Sequence, residues 1–173
     1  MSATRTMGID VTDVDTTKKL PLGFVYREPA STDDMGEKHW VYVYNSDSAI
    51  LAIGSIVIRD PSAKASSTVH DELVYGVIIA GASTPSPATS VVGVAQHAIA
   101  IGSYGFVQAK GKGLVQCGTA NITEDTPITS GGSSAGDAID FAGGVEECII
   151  GTSLEAETTN DTTFDAWLNC QGA

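Results

Sequence analysis

The apolar residues of this chain fall in short runs that are separated by glycine, proline and polar turn residues. Trp40-Val-Tyr-Val-Tyr44 is aromatic and β-branched, its three aromatic residues share one face at a period of two, and turn chemistry follows at Asn45-Ser-Asp-Ser48. The 173 residues include 19 glycines, and two close prolines in Thr84-Pro-Ser-Pro87 do not fit a central strand. Short strands with frequent turns are typical of a small barrel or sandwich. The sequence therefore predicts an all-β fold without long helices, in which most of these aromatic residues are buried.

Residues 91–117 carry four predicted strands, at 91–96, 98–102, 104–109 and 114–117. Gly111-Lys-Gly113 is interpreted as a hairpin turn between the last two strands, since no helix follows that would make it a phosphate-binding loop. In residues 163–170 the spacing of the apolar side chains also fits a helix, but the surrounding threonines favour a closing strand.

Residues 1–36 are predicted to form an extended arm, and residues 37–173 are predicted to form the β domain. The arm is too polar to bury itself alone, and the alternation at Ile9, Val11 and Val14 is imperfect. We expect the arm to become ordered against another surface. A frayed N-terminus is the alternative.

The net charge of the chain is strongly negative and unevenly distributed. Nine Lys and Arg residues against 21 Asp and Glu residues give a net charge of −12. Residues 1–112 hold all nine bases and eleven acids, whereas residues 113–173 hold ten acids and no base. A surface of this sign repels nucleic-acid phosphates and anionic lipid, so we expect neither nucleic acid nor membrane as a partner. This uneven distribution of charge along the chain predicts one end that anchors the protein and an acidic end that faces solvent.

The N-terminal residues, the lengths of the apolar runs and the cysteines favour a protein that is made in the cytoplasm. Residues 1–6 lack the apolar stretch of a signal peptide, and no apolar run approaches the ~20 residues of a membrane span. Cys117, Cys148 and Cys170 have no metal-ligand spacing and are interpreted as buried thiols in a reducing compartment.

The motifs for catalysis or ligand binding are weak. Gly132-Ser-Ser-Ala-Gly136 matches the G-x-S-x-G pattern of a serine hydrolase, but a loop is predicted before Ser134 and a strand after it, whereas that motif needs a strand and then a helix. The acidic groups at residues 10–15 and 124–125 do not reproduce a calcium-binding loop. The histidines lack metal-ligand spacing; they are His39, His70 and His97. The sequence therefore predicts no enzyme activity, no cofactor and no metal site.

Residues 91–156 contain a succession of short glycine-rich motifs. Val91-Val-Gly-Val-Ala-Gln96 is followed by an apolar pair and by Gly102-Ser-Tyr-Gly-Phe-Val-Gln-Ala-Lys-Gly111. The later motifs are Thr126-Pro-Ile-Thr129, Gly136-Asp-Ala138 and Ile150-Gly-Thr-Ser-Leu-Glu-Ala156. This succession resembles the decoration (cement) proteins of phage capsids, especially those of marine and cyanobacterial phages. Short motifs of this kind also occur in tail and fibre components of virions.

The resemblance implies a small β-barrel or β-tulip-like domain, commonly a homotrimer, on the outside of the virion. Such a protein binds the outer surface of the major capsid lattice and stabilises the expanded head, so the implied partners are the major capsid protein and further copies of this chain. We expect apolar residues of the arm to carry the capsid contact, namely Ile9, Val11, Val14, Leu20, Leu22 and Phe24. The alternatives are another virion component, such as a head fibre, tail tube or minor coat protein, and a carbohydrate-binding β domain.

Overall fold

In the computed structural model, strands account for nearly all of the regular structure. The structure describes residues 5–6, 8–30, 36–60, 62, 75–82, 86–118, 121–132, 134–143 and 149–173. These residues include a 3-10 turn, Ala88–Ser90, and twelve strands. The strands are β1 (Arg5–Thr6), β2 (Ile9–Asp10), β3 (Val25–Glu28), β4 (Lys38–Asn45), β5 (Ile56–Arg59), β6 (Gly76–Ile79), β7 (Val91–Val94), β8 (Tyr104–Gln116), β9 (Pro127–Ser130), β10 (Ala138–Asp140), β11 (Ile149–Ser153) and β12 (Thr163–Asn169). The prediction of an all-β fold is confirmed. Among the described residues, no helix has the length and hydrophobicity that a membrane crossing needs.

Five strands close a barrel. They follow one another in the order β4, β6, β5, β7 and β8, and the barrel closes because β8 pairs with β7 on one side and with β4 on the other. β4 and β8 are antiparallel, with Val41 opposite Val107. β4 and β6 run parallel, with Tyr44 opposite Gly76. Closure leaves these five strands without a free edge over the barrel, which stabilises a sheet built from such short segments.

β8 is shared between the barrel and a second group of strands. It is 13 residues long, and its second half pairs with β12 over seven residue pairs that start at Lys110 and Asn169. β11, β9 and β10 continue the sheet, and a bridge between Cys117 and Ala138 brings β10 back to the end of β8. One hydrophobic core runs through both groups. The prediction of a strand over a helix for residues 163–170 is confirmed by β12, which lies between β8 and β11 and does not itself close the barrel.

Alternate residues of β4 face two different cores. Val41 and Val43 point into the barrel, whereas Trp40 and Tyr42 point outward. The outward side chains join two aromatic residues of β8 in a second hydrophobic cluster, in which the ring centroids of Tyr42 and Phe106 are 5.1 Å apart. We call this group the outer aromatic cluster; its buried aromatic members are Trp40, Tyr42, Tyr104 and Phe106. The prediction that the aromatic residues of β4 share one face and are mostly buried is confirmed: Trp40 and Tyr42 are buried, and Tyr44 is partly buried.

The structure corrects two local predictions. The prediction of a hairpin turn at Gly111-Lys-Gly113 is wrong, because β8 runs without a break through both of the strands predicted there. Gly111 serves close packing instead: its φ is +91°, and a Cβ there would lie 2.6 Å from the carbonyl oxygen of Glu37. The strand predicted at 98–102 is also wrong, since Ile99 forms a single bridge with Leu51 and a turn follows.

Candidate interaction surface

Two similar turns lie at one end of the barrel. Ile53-Gly54-Ser55 precedes β5, Ile101-Gly102-Ser103 precedes β8, and the two glycines have φ angles of +83° and +69°. Each turn is hydrogen-bonded to the end of the strand that precedes the other turn. Gly54 N donates to the oxygen of Ala95 just after β7 (2.7 Å), and Gly102 N donates to the oxygen of Asn45 at the end of β4 (3.0 Å). The two turns are thus linked by reciprocal backbone hydrogen bonds.

The bridge between Leu51 and Ile99, next to these turns, has a buried face and an exposed face. Leu51 N donates to Ile99 O at 3.1 Å, Ile99 N donates to Leu51 O at 3.0 Å, and both side chains are completely buried. The residues on either side of each are exposed, with Ile50 at 54%, and Ile101 in the turn that follows Ile99 is 55% exposed. Residues 49–55 and 98–103 contain no charged side chain. We call the exposed surface the apolar end; it consists of Ile50, Ala52, Ile53, Ala98, Ala100 and Ile101.

Asn45 holds the backbone of the apolar end in place. Its side chain is completely buried, and its amide nitrogen lies 3.0, 3.0 and 3.2 Å from the carbonyl oxygens of Ala49, Ile99 and Ala100, which share its two N–H donors. Its side-chain oxygen accepts a hydrogen bond from Asp47 N at 3.0 Å. One buried amide is therefore hydrogen-bonded to both segments of the apolar end. These bonds fix the backbone that carries the exposed isoleucines. The sequence indicated only a turn at Asn45, so this role was missed.

Of the six arm residues predicted to contact a capsid, five pack on the outer face of the barrel. Val11 and Leu20 are buried in the outer aromatic cluster, with 2% and 4% exposure, whereas Val14 is 38% exposed. The backbone of the arm is bonded to β4, where Gly23 N donates to Tyr42 O at 2.8 Å. Contacts therefore cross the predicted boundary between residues 36 and 37, while the capsid contact itself stays a prediction. The other three arm residues are partly buried against the cluster; they are Ile9, Leu22 and Phe24.

Basic side chains of three adjacent strands form a row that an asparagine of a fourth strand continues. Arg27 of β3 is opposite His39 of β4, His39 is opposite Lys110 of β8, and Lys110 is opposite Asn169 of β12. The His39 ring is hydrogen-bonded to the Glu37 carboxylate, but within the described residues no carboxylate pairs with Arg27 or Lys110. The row lines a groove of about 440 Å³. We call it the basic groove; its polar lining includes Arg27, His39, Lys110, Asn169 and Gln171.

The opposite end of the ladder between β8 and β12 is acidic. β12 begins after the loop 154–162, which carries three carboxylates, and a bridge between Ile122 and Glu157 brings the acidic loop 121–126 to the same end. The length of β12 separates this end from the basic groove by about 20 Å. The charge asymmetry of the sequence is thus also a separation in space. The acids concerned are Glu124, Asp125, Glu155, Glu157 and Asp161.

A second groove, of about 430 Å³, adjoins the basic groove along β12. Trp167 and Thr152 line it, and Asn169 and Gln171 line both grooves. Trp167 is 36% exposed, and its ring packs against the backbone of Gly36, where a Cβ would lie 2.7 Å from the ring. We call this the tryptophan groove.

The candidate catalytic and metal-binding residues are not arranged for those chemistries in the described part of the chain. Ser134 is exposed in the loop before β10, a strand follows it as predicted, and its backbone N–H donates to Asp137 Oδ2 at 3.0 Å. Burial raises the pKa of the Cys117 thiol, and it raises that of Cys170 to about 12, so neither is a thiolate at neutral pH. The described residues contain no group of three or more His, Cys, Asp or Glu that could hold a metal ion. Of the histidines and cysteines in the sequence predictions, His70 and Cys148 lie outside the described residues, as do residue 133 of the G-x-S-x-G motif and residues 1–4, 7 and 31–35 of the arm.

No protein family, curated protein or solved structure matches this chain. Its own residues and geometry therefore define the candidate surfaces. These are the apolar end, the adjoining basic and tryptophan grooves, and the acidic loops.

Proposed function

We propose that this chain is a non-enzymatic virion structural protein that attaches to the outer surface of a major capsid lattice and stabilises the expanded head. The resemblance of residues 91–156 to phage decoration proteins supports the proposal, and these residues form the strands from β7 to β11. The observation that carries it is the apolar end, an exposed and uncharged surface on a chain with a net charge of −12.

The apolar end has the physical properties of an adhesion surface. Isoleucine is unfavourable at exposed turns, and clustered exposed apolar residues on a small domain mark a place where another molecule binds. Ile50, Ile53 and Ile101 are 54%, 46% and 55% exposed, so a partner that covers them removes about half of each side chain from water. That burial contributes about 1 kcal/mol per residue. The sum is small for one copy, so stable attachment calls for several linked copies, as in the homotrimer that the resemblance implies.

The arm contributes to this function first through the stability of the domain. Val11 and Leu20 already bury their side chains within the chain. A capsid contact by these residues would require the arm to leave the barrel and uncover the outer aromatic cluster. The apolar end is exposed without any such rearrangement, so it is the first surface to test.

The test measures binding of the purified protein to expanded capsids of the phage that encodes it, by co-sedimentation and by occupancy in cryo-EM reconstructions. Ile50→Ser combined with Ile101→Ser should weaken binding by about 30-fold, the equivalent of about 2 kcal/mol. Val25→Ser is the matched control, because Val25 is 45% exposed but lies on β3. Wild-type protein that fails to bind, or a double variant that binds like the wild type, would refute the proposal.

Two further outcomes separate related hypotheses. If a variant without residues 1–36 folds and keeps its full occupancy, the arm is not the anchor. Density at the tail or at fibre attachment points, in place of the capsid surface, would favour the other virion roles.

A further inference from the structure

We propose that the tryptophan groove and the basic groove together bind an acidic oligosaccharide, a chain of sugar rings that carry carboxylates. This site is separate from the surface of the proposed function. The grooves lie on β3, β4, β8, β11 and β12, whereas the apolar end lies on the loops after β4 and β7. Each groove has a volume within the usual range of small-ligand sites, at about 440 and 430 Å³.

Trp167 supplies an aromatic surface on which a sugar ring can stack. Its ring packs on the backbone of Gly36, while 36% of the residue stays exposed. The side chain is therefore held by the protein before any ligand arrives. A large rigid aromatic side chain gives contact area at a low cost in conformational entropy, and it suits the C–H face of a sugar.

Uncharged hydrogen-bonding groups surround this ring. Asn169 follows Trp167 by two residues in the same strand, so both side chains are on one face of β12, and Gln171 and Thr152 are the other polar side chains of the lining. Within the described residues, none of these three polar side chains is engaged in a hydrogen bond. Side-chain amides both donate and accept hydrogen bonds, as sugar hydroxyls do. An oligosaccharide can therefore form hydrogen bonds with these three side chains.

The basic groove adds the preference for an acidic ligand. Asn169 and Gln171 line both grooves, so a ligand that lies on Trp167 continues directly towards Arg27 and Lys110. Neither cation has a carboxylate partner within the described residues, although the chain as a whole carries −12. A neutral sugar would leave these cations unpaired, and a peptide of glutamates offers Trp167 no flat C–H face on which to stack. A carboxylated oligosaccharide matches both halves.

The test uses three probes that separate these features: a mannuronate hexasaccharide, neutral cellohexaose and a hexaglutamate peptide. Titration calorimetry of the full chain should give the mannuronate probe at least about tenfold tighter binding than either of the others. Trp167→Ala, and Arg27→Gln combined with Lys110→Gln, should each weaken it by about tenfold. Trp167→Phe should recover part of the loss, since it keeps an aromatic ring.

The controls change charge and exposed apolar area at positions outside the grooves. Lys19→Gln removes a charge from an exposed arm residue, and Ile101→Ser alters the apolar end, so both should bind the mannuronate probe like the wild type. Equal affinity for hexaglutamate would assign the grooves to acidic peptides, and equal affinity for cellohexaose would remove the role of the cations. Either result overturns the proposal, as does the absence of binding at about 1 mM of each probe. The capsid-binding test changes residues of the apolar end, and the oligosaccharide test changes residues of the grooves. A negative result in one test therefore leaves the other proposal standing.

Discussion

Replacing Leu20 with alanine tests whether the arm is part of the folded domain. Leu20 is 4% exposed in the outer aromatic cluster, and the preceding residue is bonded to the barrel, with Lys19 N donating to the Tyr42 hydroxyl at 3.1 Å. Truncating a buried leucine costs about 2–5 kcal/mol, and the cost is lower where the surroundings can collapse into the space. Because Leu20 lies beneath a surface segment and not inside the barrel, we expect a loss of about 2–3 kcal/mol.

The measurement is urea and thermal unfolding of the full chain, followed by tryptophan fluorescence. For a domain of this size, 1 kcal/mol lowers the melting temperature by about 2–4 °C, so Leu20→Ala should lower it by about 4–12 °C. The urea midpoint should fall without a change in the m-value. Trp40 is a local reporter, because it belongs to the same cluster and its indole N–H donates to Glu28 Oε2 at 2.9 Å.

Val14→Ala is the matched control, since Val14 lies in the same arm but is 38% exposed. Its free energy of unfolding should stay within about 0.5 kcal/mol of the wild type. If Leu20→Ala and Val14→Ala unfold at the same urea concentration, the arm is not packed on the barrel in solution. The apolar arm residues would then be available for the capsid contact that the sequence predicts.

Three further predictions concern single positions. Gly111→Ala should destabilise the fold clearly more than Gly143→Ala: both glycines have positive φ, but only at Gly111 would the Cβ meet backbone, and equal losses in melting temperature would contradict that packing. Burial raises the pKa of Asp137, whose Oδ1 has no hydrogen-bond partner among the described residues, so its contribution to stability is present below its unfolded pKa and is lost as pH rises through the raised pKa. Asp137→Asn should thus gain stability relative to the wild type as pH rises from about 4, near the unfolded pKa, through the raised pKa, and a stability difference that stays constant with pH would refute this. Ser134→Ala should leave urea unfolding and ester hydrolysis unchanged because the residue is exposed, and a lost esterase activity would restore the hydrolase reading.

The parts of the fold that local pattern determines could be predicted from the sequence. A period of two separates the faces of β4, and the threonines around residue 163 favour a strand for β12. The continuity of β8 could not be predicted in this way, because Gly111-Lys-Gly113 has the composition of a tight turn. A Cβ on Gly111 would meet the backbone of Glu37, and a Cβ on Gly113 would lie 2.9 Å from the Gln108 side chain. The contact with Glu37 joins residues far apart in sequence, so a local pattern does not reveal it.

The apolar end was missed for a related reason. An alternating segment such as Ala98-Ile-Ala-Ile-Gly102 is typical of a strand, and a strand would leave its isoleucines partly covered by neighbours. Here the segment makes one bridge only, so its outward side chains stay exposed. A signal was present, since Ala49-Ile-Leu-Ala-Ile-Gly-Ser55 nearly repeats as Ala98-Ile-Ala-Ile-Gly-Ser103. The repeat indicates equivalent turns, and the pairing of those turns shows only in three dimensions.

The positions of the two proposed surfaces on β4 determine whether both can be occupied at once. His39, in the basic groove, is near the start of this strand, and Asn45, which fastens the apolar end, is its last residue. Six residues of extended chain separate them by about 20 Å. A lattice that covers the apolar end can therefore leave the grooves open to solvent. If so, Ile101→Ser should weaken capsid binding alone, and the Arg27 and Lys110 variants should weaken oligosaccharide binding alone. A variant that weakens both would mean that one partner spans both surfaces, which this separation argues against.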